Sequence, residues 1–527
     1  MSHSSLSAQL ASLHSKSGVS SRQHSDAVGR GIHHSSKAGH TILNNSVKNK
    51  PSVLYPDSKS AAAADVPFTT LRENAVASLQ FLSQHCSPLF DINGDNLPWR
   101  TLFGPKSVKY ERGLNSKETN NKFDGLVKDA LYMLSSAWGD SIYAINLSSS
   151  TFIQLGANKP SSVLHTLEYL VQKYYVHVHN AEELLVAFLP HHENFLFDRI
   201  LQLIDIAQYP HWSFLRPFSA AKGMQGVPRT TIAKWAASTK DNGGGIAIVK
   251  KITEVAKRAA KVHCQEKKLG ILNHNEARRG ISISISFAAS TLAETLHIQH
   301  AANGTIDEQI LRILAPVIFN AIEPSSSGDK WSLGALCPEW RSFGRILISL
   351  LVEKCELNND LNNALANAVV KGCQESIQLC IHDEMKANGE EFIKSRKLKE
   401  FNLDEVSDEM QQSILEISAD AILTIMTIVQ NLPETSIEKE TPKSLLPIRS
   451  SKNHGKNHMI GYNISMIVYR AITQIPFLVA SMGYLYTEKD VDVRPLLASI
   501  IVMSVSNTRC KAKDFERSVE ALFQLVS

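Results

Sequence analysis

The residues of this chain whose types and spacing could do chemistry are mostly lysines and arginines. Nine of them fall between residues 250 and 279 against three glutamates, a net charge of +6 for that stretch. They are Lys250, Lys251, Lys257, Arg258, Lys261, Lys267, Lys268, Arg278 and Arg279. Basic side chains at this density hold phosphate backbones by releasing counterions, without reading bases. The stretch is a candidate RNA-contact patch, and a solvated charged face is the alternative.

Base-specific RNA recognition is not expected, because no aromatic RNA-binding motif accompanies the basic stretch. Catalytic motifs are also missing from the sequence. The glycines at 243–245 lack the preceding strand and the Lys-Ser/Thr pair of a phosphate-binding loop. The sequence contains no nucleophile elbow and no H-E-x-x-H. We therefore expect a non-enzymatic chain with no catalytic residues, no cofactor and no small-molecule substrate.

Histidines and cysteines provide the best candidates for metal ligands. One group contains His177, His179, His191, His192 and Glu193. The first two histidines lie two positions apart, so on a helix they would point in different directions. Cys373 and Cys380 lie two helical turns apart and would share a face, as two buried core thiols also do. Both groups favour packing residues, and no metal site is predicted.

Charge and composition separate a tail from a body. Residues 1–60 carry seven Lys/Arg against two Asp, whereas the whole chain carries only +4. Residues 1–66 are rich in Ser, His and Lys, so we expect a disordered basic tail with one short helix at Leu6, Leu10 and Leu13. Seven cysteines without a C-x-x-C pair indicate a reducing compartment. No secretory signal is present, and charged and proline residues interrupt the apolar run at 464–486.

From Phe68 onward, apolar residues recur every three or four positions, which predicts helices. The clearest run steps through Leu164, Leu167, Val171, Tyr174 and Val178. Helix pairs every 35–50 residues are typical of HEAT and armadillo repeats. The fold prediction is an all-α, HEAT/armadillo-like α-solenoid, with a helical repeat domain at 67–240 and degenerate repeats at 241–527.

A few segments are less regular. Ile281 to Phe287 alternates apolar and polar residues as a strand would, but its helical surroundings favour a helix. Residues 359–371 and 373–387 are predicted as separate helices. Loops are expected at 242–245 and 433–461.

Several stretches resemble the N-terminal region of the family of HEAT repeat-containing protein 1, also called U3 small nucleolar RNA-associated protein 10. They are TLF (101–103), RGLNSKETNNKFDGLVKDALYMLS (112–135), LEYLVQKYYVHVHNAEELLVAFLPHHENFLFDRILQLI (167–204) and WSFLRPF (212–218). The opening SSLSAQL (4–10) is also similar. Beyond about residue 230 the resemblance is one of pattern only.

This resemblance implies a scaffold of the small-subunit processome in the nucleolus of the nucleus. Its implied partners are other processome subunits, the 5′ leader of pre-ribosomal RNA and the U3 snoRNP, contacted directly or indirectly, with no membrane. It also implies roles in pre-18S ribosomal RNA processing and in support of RNA polymerase I. The family offers no catalytic residues to carry over.

Two interpretations stay open at this point. One is the processome scaffold. The other is a HEAT-repeat transport or protein–protein adaptor, which would also be helical and free of motifs, and which an acidic inner surface would favour.

The family's proteins are several times longer, and this chain ends inside an apparent helix without a polar cap. We therefore expect a fragment of a longer protein.

Overall fold

The computed structural model describes residues 68–94, 98–146, 152–219, 226–238, 244–268, 278–325, 331–355, 357–387, 407–431, 474–475 and 478–493. Within these ranges the chain forms helices, turns and loops, and no β-strand. The prediction of an all-α fold is confirmed. The predicted tail, the predicted loop at 433–461 and the predicted helices beyond residue 494 lie outside the described residues.

The longer helices are numbered here in chain order. They are α1 (Phe68–His85), α2 (Pro98–Phe103), α3 (Lys117–Asn146), α4 (Phe152–Tyr174), α5 (Ala181–Phe188), α6 (Phe195–Leu203), α7 (Arg229–Ala236), α8 (Gly244–Lys268), α9 (Arg279–Asn303), α10 (Glu308–Ile322), α11 (Pro338–Lys354), α12 (Asn359–Ala387), α13 (Asp408–Gln430) and α14 (Leu478–Glu488). One-turn helices at Pro105–Val108, Val176–His179, Arg216–Ser219 and Leu333–Leu336 join some of them.

The described residues divide into two compact units. Unit 1 contains the residues up to 268 and from 278 to 298, and unit 2 contains those from 299 to 493. The predicted boundary between residues 240 and 241 falls outside the described ranges and stays a prediction.

In unit 1, helices pack both against their neighbours in the chain and against helices further along it. The long helix α4 packs against α1 and α3, α5 packs against α3 and α6, and α7 packs against α8. Trp99, Phe103 and Tyr169 form a buried aromatic cluster in which neighbouring ring centroids lie 6.0 and 4.7 Å apart. Burial of such large apolar side chains supplies the main stabilisation of a helical repeat.

The end of α4 differs from the prediction. The helix is 23 residues long and begins at Phe152, well before the apolar run that revealed it. It ends at Tyr174 because Tyr175 adopts a left-handed conformation, with φ of 52°. Val178, which the apolar spacing assigned to the same helix, lies in the next one-turn helix.

The ambiguous segment from Ile281 to Phe287 is helical, as predicted, and lies in α9. Ile281, Ile285 and Leu292 are buried at helical spacing, and Ser284 donates a hydrogen bond to the carbonyl oxygen of Gly280 one turn earlier (3.0 Å). By length and composition α9 is also apolar enough to cross a membrane, but 56% of its most apolar window is buried in the protein, as in a core helix.

In unit 2, α10 packs against α11 and α12, and α13 packs against α11, α12 and α14. The two helices predicted at 359–371 and 373–387 are a single helix, α12, of 29 residues. Gly372 does not interrupt it because the glycine serves packing: a Cβ atom there would lie 2.0 Å from the carbonyl oxygen of Ile322. The missing side chain lets α12 approach the end of α10.

Candidate nucleic-acid interface

Most of the predicted basic patch lies on α8, an amphipathic helix of 25 residues. Its inner face buries Ile248, Ile252, Val255 and Ala259, which recur at helical spacing. The patch is therefore anchored to the core of unit 1 by a regular helix.

The prediction of a loop at 242–245 is wrong for its last two residues, since α8 begins at Gly244. A Cβ atom at Gly245 would lie 2.5 Å from the carbonyl oxygen of Ser238 and 2.8 Å from that of Trp235. Glycine is needed here for close packing of α8 on the end of α7. Its role is structural and not that of a flexible linker.

Lys251, Arg258 and Arg278 are held in ion pairs within unit 1. Lys251 lies 2.9 Å from Glu182 of α5, and Arg258 lies 2.7 Å from Asp129 of α3. Arg258 also lies over the ring of Tyr132, 5.7 Å from its centroid. These charges join α8 to its neighbours, so they are partly neutralised before any ligand binds.

Arg278, whose side chain is only 11% exposed, belongs to an internal cluster. Its guanidinium pairs with Asp140 of α3 and lies 2.5 Å from the carboxylate of Glu266 at the end of α8. The second Asp140 oxygen accepts a hydrogen bond from the backbone N–H of Gly280 (2.7 Å). The cluster ties the start of α9 to α3 and α8, so Arg278 is paired inside unit 1 and not on its surface.

The other six residues of the predicted basic patch differ in how exposed their side chains are. Lys267 is half-buried and Arg279 is exposed beside Arg278, whereas Lys250, Lys257, Lys261 and Lys268 are all exposed on α8. The structure therefore does not bring the nine residues together as one patch. It places four of the lysines on the solvent side of one helix.

The local electrostatics keep that side of α8 positive. Glu254 is the carboxylate nearest to the middle of the helix. Its Oε1 pairs with Nζ of Lys128 of α3 at 2.7 Å. The pKa of Lys261 is lowered by partial burial and by the neighbouring charges of Arg258 and Lys257. Part of the lowering therefore comes from two basic neighbours on the same helix, and an anion that binds beside Lys261 would offset their charge.

Two of the histidines considered as metal ligands, His191 and His192, make packing contacts in unit 1. His191 is buried and its Nε2 lies 2.9 Å from the carbonyl oxygen of Ser135, while Nδ1 of His192 lies 2.5 Å from the carbonyl oxygen of Val227. His192 also packs against Phe287, with ring centroids 5.3 Å apart. The side chains join α3, α9 and the loop before α7.

His191 should make unit 1 sensitive to acid. Burial lowers its pKa to about 4, against an ordinary value near 6.5. The folded state thus keeps the ring neutral while the unfolded state takes up a proton. This contribution to stability is present above pH 6.5 and is lost as the pH falls toward 4. Between pH 7 and 5 we expect His191 alone to reduce the free energy of unfolding by about 2 kcal/mol.

Urea denaturation of the chain and of His191→Gln at both pH values measures this effect. The variant should lose most of this pH dependence, whereas His297→Gln, which changes an exposed histidine of the same unit, should keep it. Burial also lowers the pKa of His192. The stability of the His191→Gln variant should therefore still depend on pH, although less than that of the parent. An equal pH dependence in the parent and in His191→Gln would contradict the prediction.

The two cysteines considered together are also structural. Cys373 is buried in unit 2 and burial raises the pKa of its thiol, which opposes both metal binding and reactivity. Cys380 is half-buried on the same helix, α12. The packing interpretation is consistent with this geometry.

Sequence analysis missed the acidic residues that organise the interface. Glu182 lies 2.5 Å from Nε2 of His211 and 2.9 Å from Lys251, and it accepts a hydrogen bond from the indole of Trp212 (3.3 Å). Although burial alone would raise its pKa, hydrogen bonds from Lys251 and His211 lower it. His211 and Trp212 lie 29 and 30 residues after Glu182 in the chain. No rule based on the spacing of residues along a helix could have found these contacts.

Comparison with known proteins places these features in context. No family model matches the chain. The chain is 30% identical over 155 residues to U3 small nucleolar RNA-associated protein 10 of Candida glabrata, which covers 29% of this chain and 7% of that protein. Its counterpart in Saccharomyces cerevisiae is 32% identical over 155 residues, with the same coverage of 29% and 7%.

HEAT repeat-containing protein 1 of Homo sapiens is 25% identical over 274 residues, which is 51% of this chain and 10% of the human protein. The chain thus spans at most a tenth of the length of these three relatives. Their names describe helical repeats and association with U3 small nucleolar RNA, not an enzymatic activity.

These matches agree with the expectations drawn from the sequence. The fold is of the all-α, HEAT-like solenoid class, and none of these three relatives is named for an enzymatic activity. The chain is similar to the family of HEAT repeat-containing protein 1 and U3 small nucleolar RNA-associated protein 10, and the predicted resemblance is confirmed.

Proposed function

We propose that the chain acts as a scaffold of the nucleolar small-subunit processome in ribosome biogenesis. The observation that supports this most directly is its similarity to relatives named for association with U3 small nucleolar RNA. In this role the chain contributes to pre-18S ribosomal RNA processing, to assembly of the small ribosomal subunit and to support of RNA polymerase I transcription.

The architecture is consistent with such a role. Stacked helices present extended surfaces on which several partners can bind at once. The partners proposed are other processome subunits, the 5′ leader of pre-ribosomal RNA and the U3 snoRNP. The exposed lysines of α8 offer a surface of suitable charge for the RNA.

Recovery of RNA with the tagged chain tests the proposal. We expect a tagged copy expressed in its own cells to lie in the nucleolus and to recover U3 small nucleolar RNA and pre-18S precursors well above an untagged control. Depletion of the protein should cause 18S precursors to accumulate, while precursors specific to the large subunit are spared. A cytoplasmic protein that recovers cargo proteins but no U3 RNA would instead identify a transport adaptor.

A further inference from the structure

We propose that four exposed lysines of α8 bind the phosphate backbone of double-stranded RNA without reading its bases. The four residues, called here the lysine row, are Lys250, Lys257, Lys261 and Lys268. This inference rests on the proposed function, which makes RNA the relevant partner, and it specifies the form of RNA and the residues that contact it.

The lysine row follows from the spacing along a regular helix. Its members are separated by seven, four and seven residues, so at 100° per residue all four lie within about 40° of one another around the axis. At 1.5 Å per residue they span about 27 Å. All four are exposed while the opposite face of α8 is buried in unit 1, so a straight line of ammonium groups faces solvent.

No member of the row forms a salt bridge with a described residue, although the carboxylates of Asp129 and Glu254 act on Lys261 from a distance. Lys251 and Arg258, the row's basic neighbours on α8, point to carboxylates of α5 and α3, while Glu254 pairs with Lys128. Three carboxylates of the described residues near α8, those of Glu182, Asp129 and Glu254, are therefore engaged by other basic side chains. Four positive side chains along one exposed side of a helix favour the binding of a polyanion, which releases its counterions on contact.

The absence of stacking groups on α8 favours a duplex over a single strand. Proteins that hold single strands combine positive charge with aromatic side chains on which bases stack. The sequence of α8 contains no Phe, Tyr or Trp. The neighbouring ring of Tyr132 is buried beneath Arg258. A double helix keeps its bases stacked and presents an ordered backbone, so it needs only phosphate contacts and shape.

An acidic protein segment fits the row less well than a duplex. Protein interfaces have an apolar core surrounded by a polar rim. On the exposed side of α8 the row is accompanied by Gln265 and by the paired Glu254 and Arg258, with no exposed large apolar residue. Such a surface offers charge without an apolar centre, which suits a nucleic acid backbone.

Fluorescence anisotropy with the full-length chain tests the proposal. The probes are two unrelated 20-base-pair RNA duplexes and their separate strands, titrated between 50 and 200 mM KCl. We expect both duplexes to bind alike and more tightly than either strand. Changing all four lysines of the row to glutamine should weaken duplex binding at least about tenfold at low salt and reduce the salt slope by about 3–4. Glutamine keeps the helix propensity of lysine, so circular dichroism should not change.

A matched control carries the same change in net charge elsewhere in unit 1. Lys109, Lys117, Lys122 and Lys234 are exposed outside α8, and changing them to glutamine should leave duplex affinity within about twofold of the parent. Equal loss in both variants would overturn the proposal in favour of nonspecific charge. Tighter binding of the single strands, or binding of a poly-glutamate peptide in place of RNA, would also overturn it.

These outcomes separate the lysine row from the proposed function. If cells yield U3 RNA with the tagged chain but the row variant binds duplexes as the parent does, the lysine row is wrong and the scaffold role stands. If duplexes bind through the row but no U3 RNA is recovered, the scaffold role in the processome is wrong and the duplex-binding surface stands.

Discussion

Changing Leu185 to aspartate is expected to unfold unit 1. Leu185 is fully buried in α5, a short helix that packs against α3, α6 and α8. A carboxylate at this position has no partner among apolar neighbours, and the cost is at least ~3 kcal/mol. A loss of this size is a large fraction of the 5–15 kcal/mol that typically separates folded and unfolded states.

Thermal denaturation followed by circular dichroism, together with limited proteolysis, measures the effect. The Leu185→Asp chain should lose one melting transition and be cleaved rapidly within residues 68–268. Leu185→Met is the matched control, because it keeps volume and hydrophobicity and should cost less than ~1.5 kcal/mol. Unchanged melting of the aspartate variant would show that this face of α5 contacts solvent.

The second large effect is expected in unit 2, where Glu375 of α12 binds Arg341 of α11. Both side chains are buried, and Glu375 accepts hydrogen bonds from the backbone N–H groups of Ser325 (2.9 Å) and Ser332 (3.1 Å) and from Nη2 of Arg341 (3.2 Å). Burial and the nearby charge of Arg345 lower the pKa of Arg341 to about 10, so it remains charged at pH 7. Replacing Glu375 by leucine leaves that charge buried and unpaired, which costs about 3–5 kcal/mol.

A double-mutant cycle distinguishes the ion pair from simple packing. Glu375→Leu should be strongly destabilised in urea, and Arg341→Met should be destabilised as well. The variant with both changes should be more stable than the sum of the two losses predicts, because neither charge is then left alone. Strict additivity would contradict the importance of the pair.

Much of the helical structure could be predicted from the sequence because burial on helices leaves a period of about 3.6 residues. Ile281 to Phe287 shows the limit of that approach. Its local alternation fits a strand, and the helix is decided by contacts of Ile281 and Ile285 with the core. Helix ends were less predictable. Gly372 lies inside α12 because the glycine allows close packing against α10. The helix α4 stops before Tyr175 because that residue adopts an unusual positive φ angle.

The candidate site could be predicted only as a set of charges. Sequence analysis located the basic stretch, but it could not tell a paired residue from an exposed one. Arg258 pairs with Asp129, which is 129 residues away in the chain, and Arg278 pairs with Asp140 over a separation of 138 residues. Partners at such distances come from the fold, so the reduction from nine residues to the lysine row required the structure.

The close approach of α3 and α9 sets the order in which unit 1 can be completed during synthesis. A Cβ atom at Gly280 would lie 1.8 Å from the carbonyl oxygen of Ser136, so the two helices meet backbone to backbone. Asp140 can form its ion pair only after Arg278, 138 residues later in the chain, has been synthesised. At ~5–20 residues per second, this face of α3 stays uncovered on the ribosome for roughly 7–30 s. A fragment that ended at residue 240 would keep it uncovered permanently, and the shortest piece of the chain that closes unit 1 extends to residue 298.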